Sequence, residues 1–564
     1  MENKEYMLID GNPVEINGEK NLLEVIRKAG IELPTFCYHS ELSVYGACRM
    51  CMVENSHGGM EAACSTVPKA GMEIYTNTER LHKHRKMILE LLLANHCRDC
   101  TTCQKNGKCR LQELASLFGL ESIRFKNLKP EPELDTSSLS IIRDAHKCIL
   151  CGDCVRMCNE IQNVGAIDFV NRGSKMVIGP AFNEPIANSP CVGCGQCAAV
   201  CPTGAIVIRK DTGRVWPELN DKNTKVVAQV APAVRVAMAK EFGLPENENS
   251  MGRITAALRR LGFDEVYDTA TGADLTVLEE SNEFLQRIEA GENLPLITSC
   301  CPAWIQYCEK NHPELMKNIS TCKSPMQMFS SVIKAEYANS SRRVVCVAIM
   351  PCTAKKFECA REEFMHDGVP ETDYVITTQE LIQMIHKAGI VFEELEPEAV
   401  DPEFSTSTGA GVIFGVTGGV TEAVLRRLST DKSKKALLSI AFNDVRGMKG
   451  VKETTIPYGD KEVRIAIVSG LKNAESVIQA LKNGEHFDFI EVMACPGGCV
   501  AGGGQPFGTN ATKEVRGKAL YSADKMLSIK RSEENPLMLS LYDGVLKGRV
   551  HELLHVHYNH KEEE

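Results

Sequence analysis

Three short fragments hold the densest chemistry in the chain: TSCCPAW (Thr298–Trp304), MPCTAKK (Met350–Lys356) and MACPGGCVAGGGQP (Met493–Pro506). Cys300, Cys301, Cys352, Cys495 and Cys499 are soft donors, and four or five thiolates brought together suit a transition-metal centre. Thiols this dense in an intracellular chain rarely serve as disulfides, because reducing compartments keep those open. Taken one at a time, each cysteine also admits a plainer reading as a small buried hydrophobe. The elements that must position them are strands. LPLITS precedes Cys300 and Cys301, RVVCVAIM precedes Cys352 and DFIEVMA precedes Cys495, each followed by helix-like or Gly-rich sequence. In an open α/β sheet such junctions converge at the carboxyl edge.

With 564 residues, 43% of them hydrophobic, the chain can bury several cores and form several domains. No apolar run reaches the ~18 residues of a membrane span, and MENKEYMLIDGN lacks an apolar signal core, so a cytoplasmic protein is expected. Twenty-five cysteines at short spacings argue for metal. A net charge of -10 gives no support for a nucleic-acid partner.

Residues 1–78 read as a first module. MLIDGNPVEI is a hairpin turning at Asp10 and Gly11, and NLLEVIRKAGI is an amphipathic helix ending at Gly30. Cys37, Cys48, Cys51 and Cys64 follow, a set that suits a 2Fe-2S cluster although the first gap is ten residues rather than the plant-type four. In residues 79–126 the helix ERLHKHRKMILELLLAN leads to His96, Cys100, Cys103 and Cys109, with Cys97 read as a spectator. Spacing alone leaves both sets open to zinc. Lys and Arg outnumber Asp and Glu by eleven to five between Glu79 and Pro130. That excess is either a solvated helix face or a docking patch for an acidic carrier.

Residues 127–209 open with a linker, KPEPELDTSS (Lys129–Ser138), and continue into an internal repeat. Cys148, Cys151, Cys154 and Cys158 match Cys191, Cys194, Cys197 and Cys201, each as CxxCxxCxxxC. In this two-cluster ferredoxin pattern the fourth cysteine serves the other cluster. One cube is therefore assigned to Cys148, Cys151, Cys154 and Cys201, the other to Cys191, Cys194, Cys197 and Cys158. Asn159 stands where the second run has Pro202, which loosens that turn without removing a ligand.

Residues 210–564 read as one α/β catalytic domain of two lobes. KVVAQVAPAVRVAMAKEFG is expected to give a strand, a turn at Ala231 and Pro232, and a helix ending at Gly243. Lys355 follows Cys352 by three residues and can face the same site. Met350 and Met493 precede ligand cysteines and would ordinarily be core filler. Gly497, Gly498 and Gly502–Gly504 are expected to let backbone approach bulky inorganic atoms without a clash. GAGVIFG (Gly409–Gly415) lacks dinucleotide-loop spacing and reads as packing. Glu280, Glu283 and Arg287 share a helical face, which by spacing alone is a solvated salt-bridge stripe. The tail, from about Ser522 to HELLHVHYNHKEEE, could hold metal on its histidines but reads as a frayed polar terminus. Cys97, Cys308, Cys322, Cys346 and Cys359 receive no role, Cys346 being core within its strand.

The three fragments resemble, in order, the three signatures of the FeFe-hydrogenases. The N-terminal sets resemble modules shared by that family and the large iron-sulfur subunit of respiratory complex I, which favours 2Fe-2S and 4Fe-4S clusters over zinc. The resemblance covers essentially the whole chain and is to the monomeric, ferredoxin-linked clostridial type. It implies an H-cluster, a 4Fe-4S cube joined to a diiron unit carrying CO, cyanide and a bridging dithiolate. Cys301, Cys352, Cys495 and Cys499 match the cube ligands, Cys499 being shared with the diiron unit, and Cys300 matches the thiol that hands protons to the bridge. Ala231, Pro232, Met350, Met493 and Phe414 match the diiron pocket, and Lys355 matches a cyanide-bonding lysine. Glu280, Ser320 and Glu283 match a proton relay, and the tail matches one that wraps the catalytic domain. The implied protein is a ferredoxin hydrogenase, reversibly reducing protons to H2. It would hold one 2Fe-2S cluster, three accessory 4Fe-4S clusters and the H-cluster. Ferredoxin or a similar carrier and maturation proteins delivering the diiron unit are its expected partners, and it is expected to be a monomer. An electron-transfer subunit of a respiratory dehydrogenase would explain only the N-terminal modules. An iron-sulfur assembly or hydrogen-sensing protein would share only parts of the catalytic domain.

Overall fold

A computed structural model describes residues 5–127, 133–429, 445–447, 450–458 and 461–558. The chain divides into two compact units, one of residues 1–161, 165–189 and 200–207, the other of residues 162–164, 190–199 and 208–564. The division passes through the 127–209 segment.

In the first unit, strands Glu5–Ile9 and Asn12–Ile16 pair antiparallel around Asp10 and Gly11, both at positive φ, which sets the tight twisted turn a two-residue hairpin needs. The helix Leu22–Lys28 is capped by Asn21 and buries Leu22, Leu23, Val25 and Ile26 against the five-stranded sheet. The helix Glu79–Ala94 carries a buried arginine, Arg85, whose guanidinium donates to the carbonyls of Met50, Met52 and Thr76 and so ties helix to sheet. Residues 129–132 of the expected linker lie outside the described residues. Within the rest of it Asp135 pairs with Arg143 and accepts the Ile186 backbone N–H, which anchors the segment there.

The second unit holds the two lobes as two four-stranded sheets. One is wholly parallel, ordered Glu265–Asp268, Thr224–Val230, Arg343–Met350, Tyr374–Thr377. The other is ordered Leu296–Ile297, Phe489–Met493, Lys461–Ser469, with Val451–Tyr458 antiparallel at its edge. The central strands are near-continuous runs of buried Val, Ile and Ala, as strands covered on both faces must be. Registers Val230 with Ile349 and Met350 with Thr377 align the carboxyl ends of the first sheet, and Ile297 with Ile490 does the same in the second.

The expected helix after Ala231 and Pro232 does not form. Residues 231–238 run as turns, and only Ala239–Phe242 is a short 3-10 helix before Gly243 at φ 73. Local carbonyls are taken elsewhere, that of Ala233 by Gln505 and that of Arg235 by the Ser250 N–H, while Arg235 itself pairs with Asp268. The tail is not the frayed end its composition suggests, and its packing fits the wrapping role that the resemblance implies. Leu553 and Leu554 are buried, His555 bonds Thr321 and Glu279, and the Val556 N–H donates to the Thr321 carbonyl. Residues 559–564 lie outside the described residues.

Buried Lys323 locks this tail down. Its ammonium pairs with buried Glu371 and donates to the Glu552 carbonyl at 3.1 Å. Lys323→Ala leaves buried Glu371 with the exposed His366 imidazole at 2.8 Å in place of a buried ammonium, so it is expected to cost about 3 kcal/mol. A lowered thermal midpoint and faster proteolysis near residue 554 would show it; an unchanged melt would refute it.

Candidate active site

The four carboxyl-edge junctions of the two sheets carry the site. Cys301 caps the helix Pro302–Asn311, whose first residue is proline and needs no N–H partner. Its Sγ accepts the Ala494 N–H at 3.5 Å. Cys352 follows the strand Arg343–Met350 and precedes the helix Ala354–Glu358. Cys499 opens a short 3-10 turn behind Gly498. Cys495 accepts a hydrogen bond from Gln196 Nε2 at 3.1 Å.

These thiols lie in one another's fields. Burial raises Cys352 to about 11, with Cys301 adding to it, and raises Cys495 and Cys499 with Cys352 and Cys301 contributing. Burial raises Cys301 too, against the pull of the Ala494 and Trp304 N–H groups and of Lys355. Four clustered thiols that repel one another's ionised form are a donor set whose thiolates a cationic metal would stabilise, and soft sulfur suits iron. The residues fit a cube.

Beside them lies a cavity of about 70 Å³. It is lined by Ala231, Pro232, Met350, Phe414 and Met493 together with Cys300, Cys352, Lys355 and Cys499. All five sequence-predicted pocket residues therefore meet in one place. The space holds about five waters' worth of volume, enough for a compact inorganic group. Its wall is apolar apart from three cysteines, Lys355 and Thr269. Lys355 Nζ donates to the Cys300 carbonyl at 3.3 Å and pairs with Glu358 at 2.7 Å. Burial works against its charge, but Glu358 and the Cys352 and Cys300 thiols hold its pKa above the ordinary lysine value.

Glu280, Glu283 and Arg287 lie on the helix Ala270–Ala290, in from the surface instead of on a solvated stripe. Glu280 is wholly buried. Burial first, and the Glu283 charge second, push its carboxyl up to about 8. The Ser320 hydroxyl donates to Glu283 at 2.8 Å, and Arg287 pairs with Glu283 at 2.5 Å. Burial raises the Cys300 thiol well above its usual range.

The glycines also let backbone approach backbone. A Cβ at Gly498 would meet the Thr417 N at 2.6 Å, at Gly502 the Pro351 O at 2.2 Å and at Gly503 the Cys194 O at 2.4 Å. Gly411 and Gly415 in GAGVIFG likewise press on Ala270 and Ala233, the packing role expected of that stretch.

Sequence reading missed Thr269, Pro325 and Met326 in the cavity wall, Gln196 on Cys495, and Glu358 on Lys355. Only Glu358 left a local signal, three residues from Lys355 on one helix. Gln196 gives a prediction. An N–H donor to a ligand sulfur raises a cluster's potential, so Gln196→Leu should lower that of the cube bound by Cys495, read by redox titration. An unshifted potential would remove the role.

The upstream sets also assemble. Cys37 pairs with Cys48 and Cys51 with Cys64, the Cys48 N–H reaching Cys37 Sγ at 3.3 Å. His96, Cys100, Cys103 and Cys109 line one small cavity, which Cys97 joins. His96 Nδ1 accepts the Arg98 N–H at 3.1 Å, so Nε2 is the nitrogen a metal would take. Cys148, Cys151, Cys154 and Cys201 line another, the set assigned to one cube. The repeat persists in the backbone: Leu150 and Gly193, both at positive φ, donate N–H to Cys148 and Cys191 at 3.4 Å. After Cys154 the helix runs on through a wide turn, Met157–Ile161, which Asn159 permits where a proline would stop it. Cys158 belongs to the first unit and Cys191, Cys194 and Cys197 to the second.

Comparison with known proteins agrees with this arrangement. Residues 224–503 match the family described as "Iron only hydrogenase large subunit, C-terminal domain", and 510–561 match "Iron hydrogenase small subunit". Residues 6–79 match a 2Fe-2S iron-sulfur cluster binding domain, 85–124 the NADH-ubiquinone oxidoreductase-G iron-sulfur binding region, and 147–209 a 4Fe-4S dicluster domain. The chain is 41% identical to the NADP-reducing hydrogenase subunit HndD of Solidesulfovibrio fructosivorans, over 98% of each chain. It is 35% identical to iron hydrogenase 1 of Clostridium pasteurianum, over 98% of this chain and 99% of that one. A structure of a variant of the FeFe-hydrogenase HydA1 from Chlamydomonas reinhardtii matches with TM-score 0.54 and 37% identity, covering 62% of this chain and 98% of that one. The chain belongs to the FeFe-hydrogenase family, as a large subunit whose N-terminal iron-sulfur domains relay electrons to the catalytic domain.

Proposed function

We propose that the chain reversibly reduces protons to H2 at an H-cluster held by Cys301, Cys352, Cys495 and Cys499, and exchanges electrons with ferredoxin or a similar small carrier. When bound, the cluster supplies the redox chemistry that joins two protons and two electrons. The chain's own residues place it, keep water out and bring protons in. Met350, Met493, Phe414, Ala231 and Pro232 make the dry wall, and Lys355 offers an ammonium to an anionic ligand. Glu283, Ser320 and Glu280 pass protons to the Cys300 thiol, which stays protonated at neutral pH. One 2Fe-2S and three accessory 4Fe-4S clusters would complete the relay. The observation that carries this reading is the single apolar cavity joining Cys300, Lys355 and two cube cysteines to the five pocket residues. Infrared spectra of anaerobically matured protein should show CO and cyanide stretches, with H2 turnover; fully loaded protein showing neither would end the reading.

A second reading is favoured by the 41% identity to a subunit named NADP-reducing. Electrons would then reach NADP through a partner chain, since no dinucleotide loop stands out in this one. Turnover with purified ferredoxin alone separates the two. The acidic-carrier reading predicts rates that rise as ionic strength falls, because Lys83, Lys86 and Arg124 outnumber Glu90 and Glu121 around an open cleft on the first unit. Rates indifferent to salt would remove it. The proposed protein is a monomer in the cytoplasm, matured by proteins that deliver the diiron unit. Among the described residues no helix is long and apolar enough to cross a membrane.

A further inference from the structure

Cys322 had no role from sequence, and the tail histidines were read as a frayed end. In the fold they meet. An imidazole nitrogen of His555, Cys322 Sγ and a carboxylate oxygen of Glu283 all lie within 4.8 Å of one another. We propose that Glu283, Cys322 and His555 form a binding site for a thiophilic divalent cation, zinc or cadmium.

The donor set is the first reason. One imidazole, one thiolate and one carboxylate are the ligand types zinc takes, and three protein ligands leave a fourth position for water. The second reason is how His555 is held. Its Nε2 lies 3.0 Å from Glu279 Oε2, the carboxylate-histidine arrangement that orients metal-bound imidazoles. That contact puts the ring proton on Nε2 and leaves Nδ1 as an acceptor. Nδ1 takes a hydrogen bond from the Thr321 hydroxyl at 2.8 Å, which a cation would replace.

Pre-organisation is the third reason. Cys322 and His555 face each other in an antiparallel bridge, and the Thr321 N–H already holds Glu283 at 3.0 Å. Cys322 Sγ is 3.8 Å from Glu283 Oε2, so little movement brings the two onto one ion. Charge is the fourth. Glu279, Glu280 and Glu283 face the site; Arg287 pairs with Glu283, Arg427 acts on Glu279, and the Tyr542 hydroxyl bonds Glu279. Burial, and after it the Glu283 charge, keep Cys322 a thiol in the metal-free site. Binding therefore breaks its S–H bond, forms a sulfur-metal bond and releases one proton to solvent.

If Glu283 carries protons as proposed above, an ion here also stops the relay at its outer half. That consequence rests on the relay reading; the binding does not. The test uses the full-length protein with its clusters loaded. Zinc is titrated in competition with a chromophoric chelator, and cadmium by the thiolate-to-cadmium charge-transfer band. One equivalent is expected to bind, with affinity falling about tenfold or more in both Cys322→Ala and His555→Gln, and with the band lost in Cys322→Ala. Because the two residues sit on separate segments, failure of one variant to fold leaves the other decisive. Undiminished binding in the folded variants would overturn the site. Zinc should also inhibit H2 evolution in the parent and not in Cys322→Ala. Variant-sensitive binding with unaffected turnover would keep the site and strike out Glu283 as a carrier.

Discussion

Cys300→Ser is expected to lose H2 turnover by about 10²-fold or more while iron content and the diatomic-ligand infrared bands stay at parent levels. The substitution changes one atom, so packing in the cavity is nearly conserved. What changes is acidity: a hydroxyl is a far weaker proton donor than a thiol. Cys300 is suited to donate because it lines the cavity without belonging to the cube set, and because burial keeps it protonated. It is also fixed in place, since its carbonyl accepts the Lys355 ammonium. Near-normal turnover in a protein with intact infrared bands would remove Cys300 as an obligatory donor. Loss of the bands themselves would make it a cofactor-positioning residue instead.

Much of this site was legible because its ligands are chemically loud and its strands are regular. RVVCVAIM became the strand Arg343–Met350 residue for residue, since a β-branched apolar run covered on both faces has no competing structure. The CxxCxxCxxxC repeat named the four cysteines that line one cavity, because cluster geometry fixes spacing along the chain. What failed was set by distant partners. The stretch after Pro232 has helical composition, yet Gln505, Ser250 and Asp268 claim its carbonyls and its arginine, and none of them is near in sequence. HELLHVH looked like a frayed end because nothing local shows that Leu554 accepts from the Lys323 N–H or that His555 finds Glu279. Gln196 lies 299 residues from Cys495, so a hydrogen bond that tunes the cube had no footprint in either fragment.

The same dependence on surroundings governs Glu280, where spacing pointed to a solvated stripe and burial reverses the chemistry. A carboxyl raised to about 8 is mostly neutral at pH 7, so it can give a proton inward and recover one from the Glu283 side. Glu280→Gln keeps shape and neutrality but cannot exchange a proton, and turnover should fall by about 10²-fold or more with the cluster spectroscopically intact. Stability should move the other way. A group whose folded-state value is raised contributes fully below its unfolded value, 4.5, and that contribution is lost as the pH rises towards about 8. The amide has no such loss. Between pH 5 and pH 8 the parent should therefore lose more of its thermal midpoint than the variant, which will be relatively the more stable at alkaline pH. An inactive protein that is also less stable than the parent across that whole range would mean the substitution damages the fold, and the relay role would fall with it. A fully active one would show that protons reach Cys300 by another route.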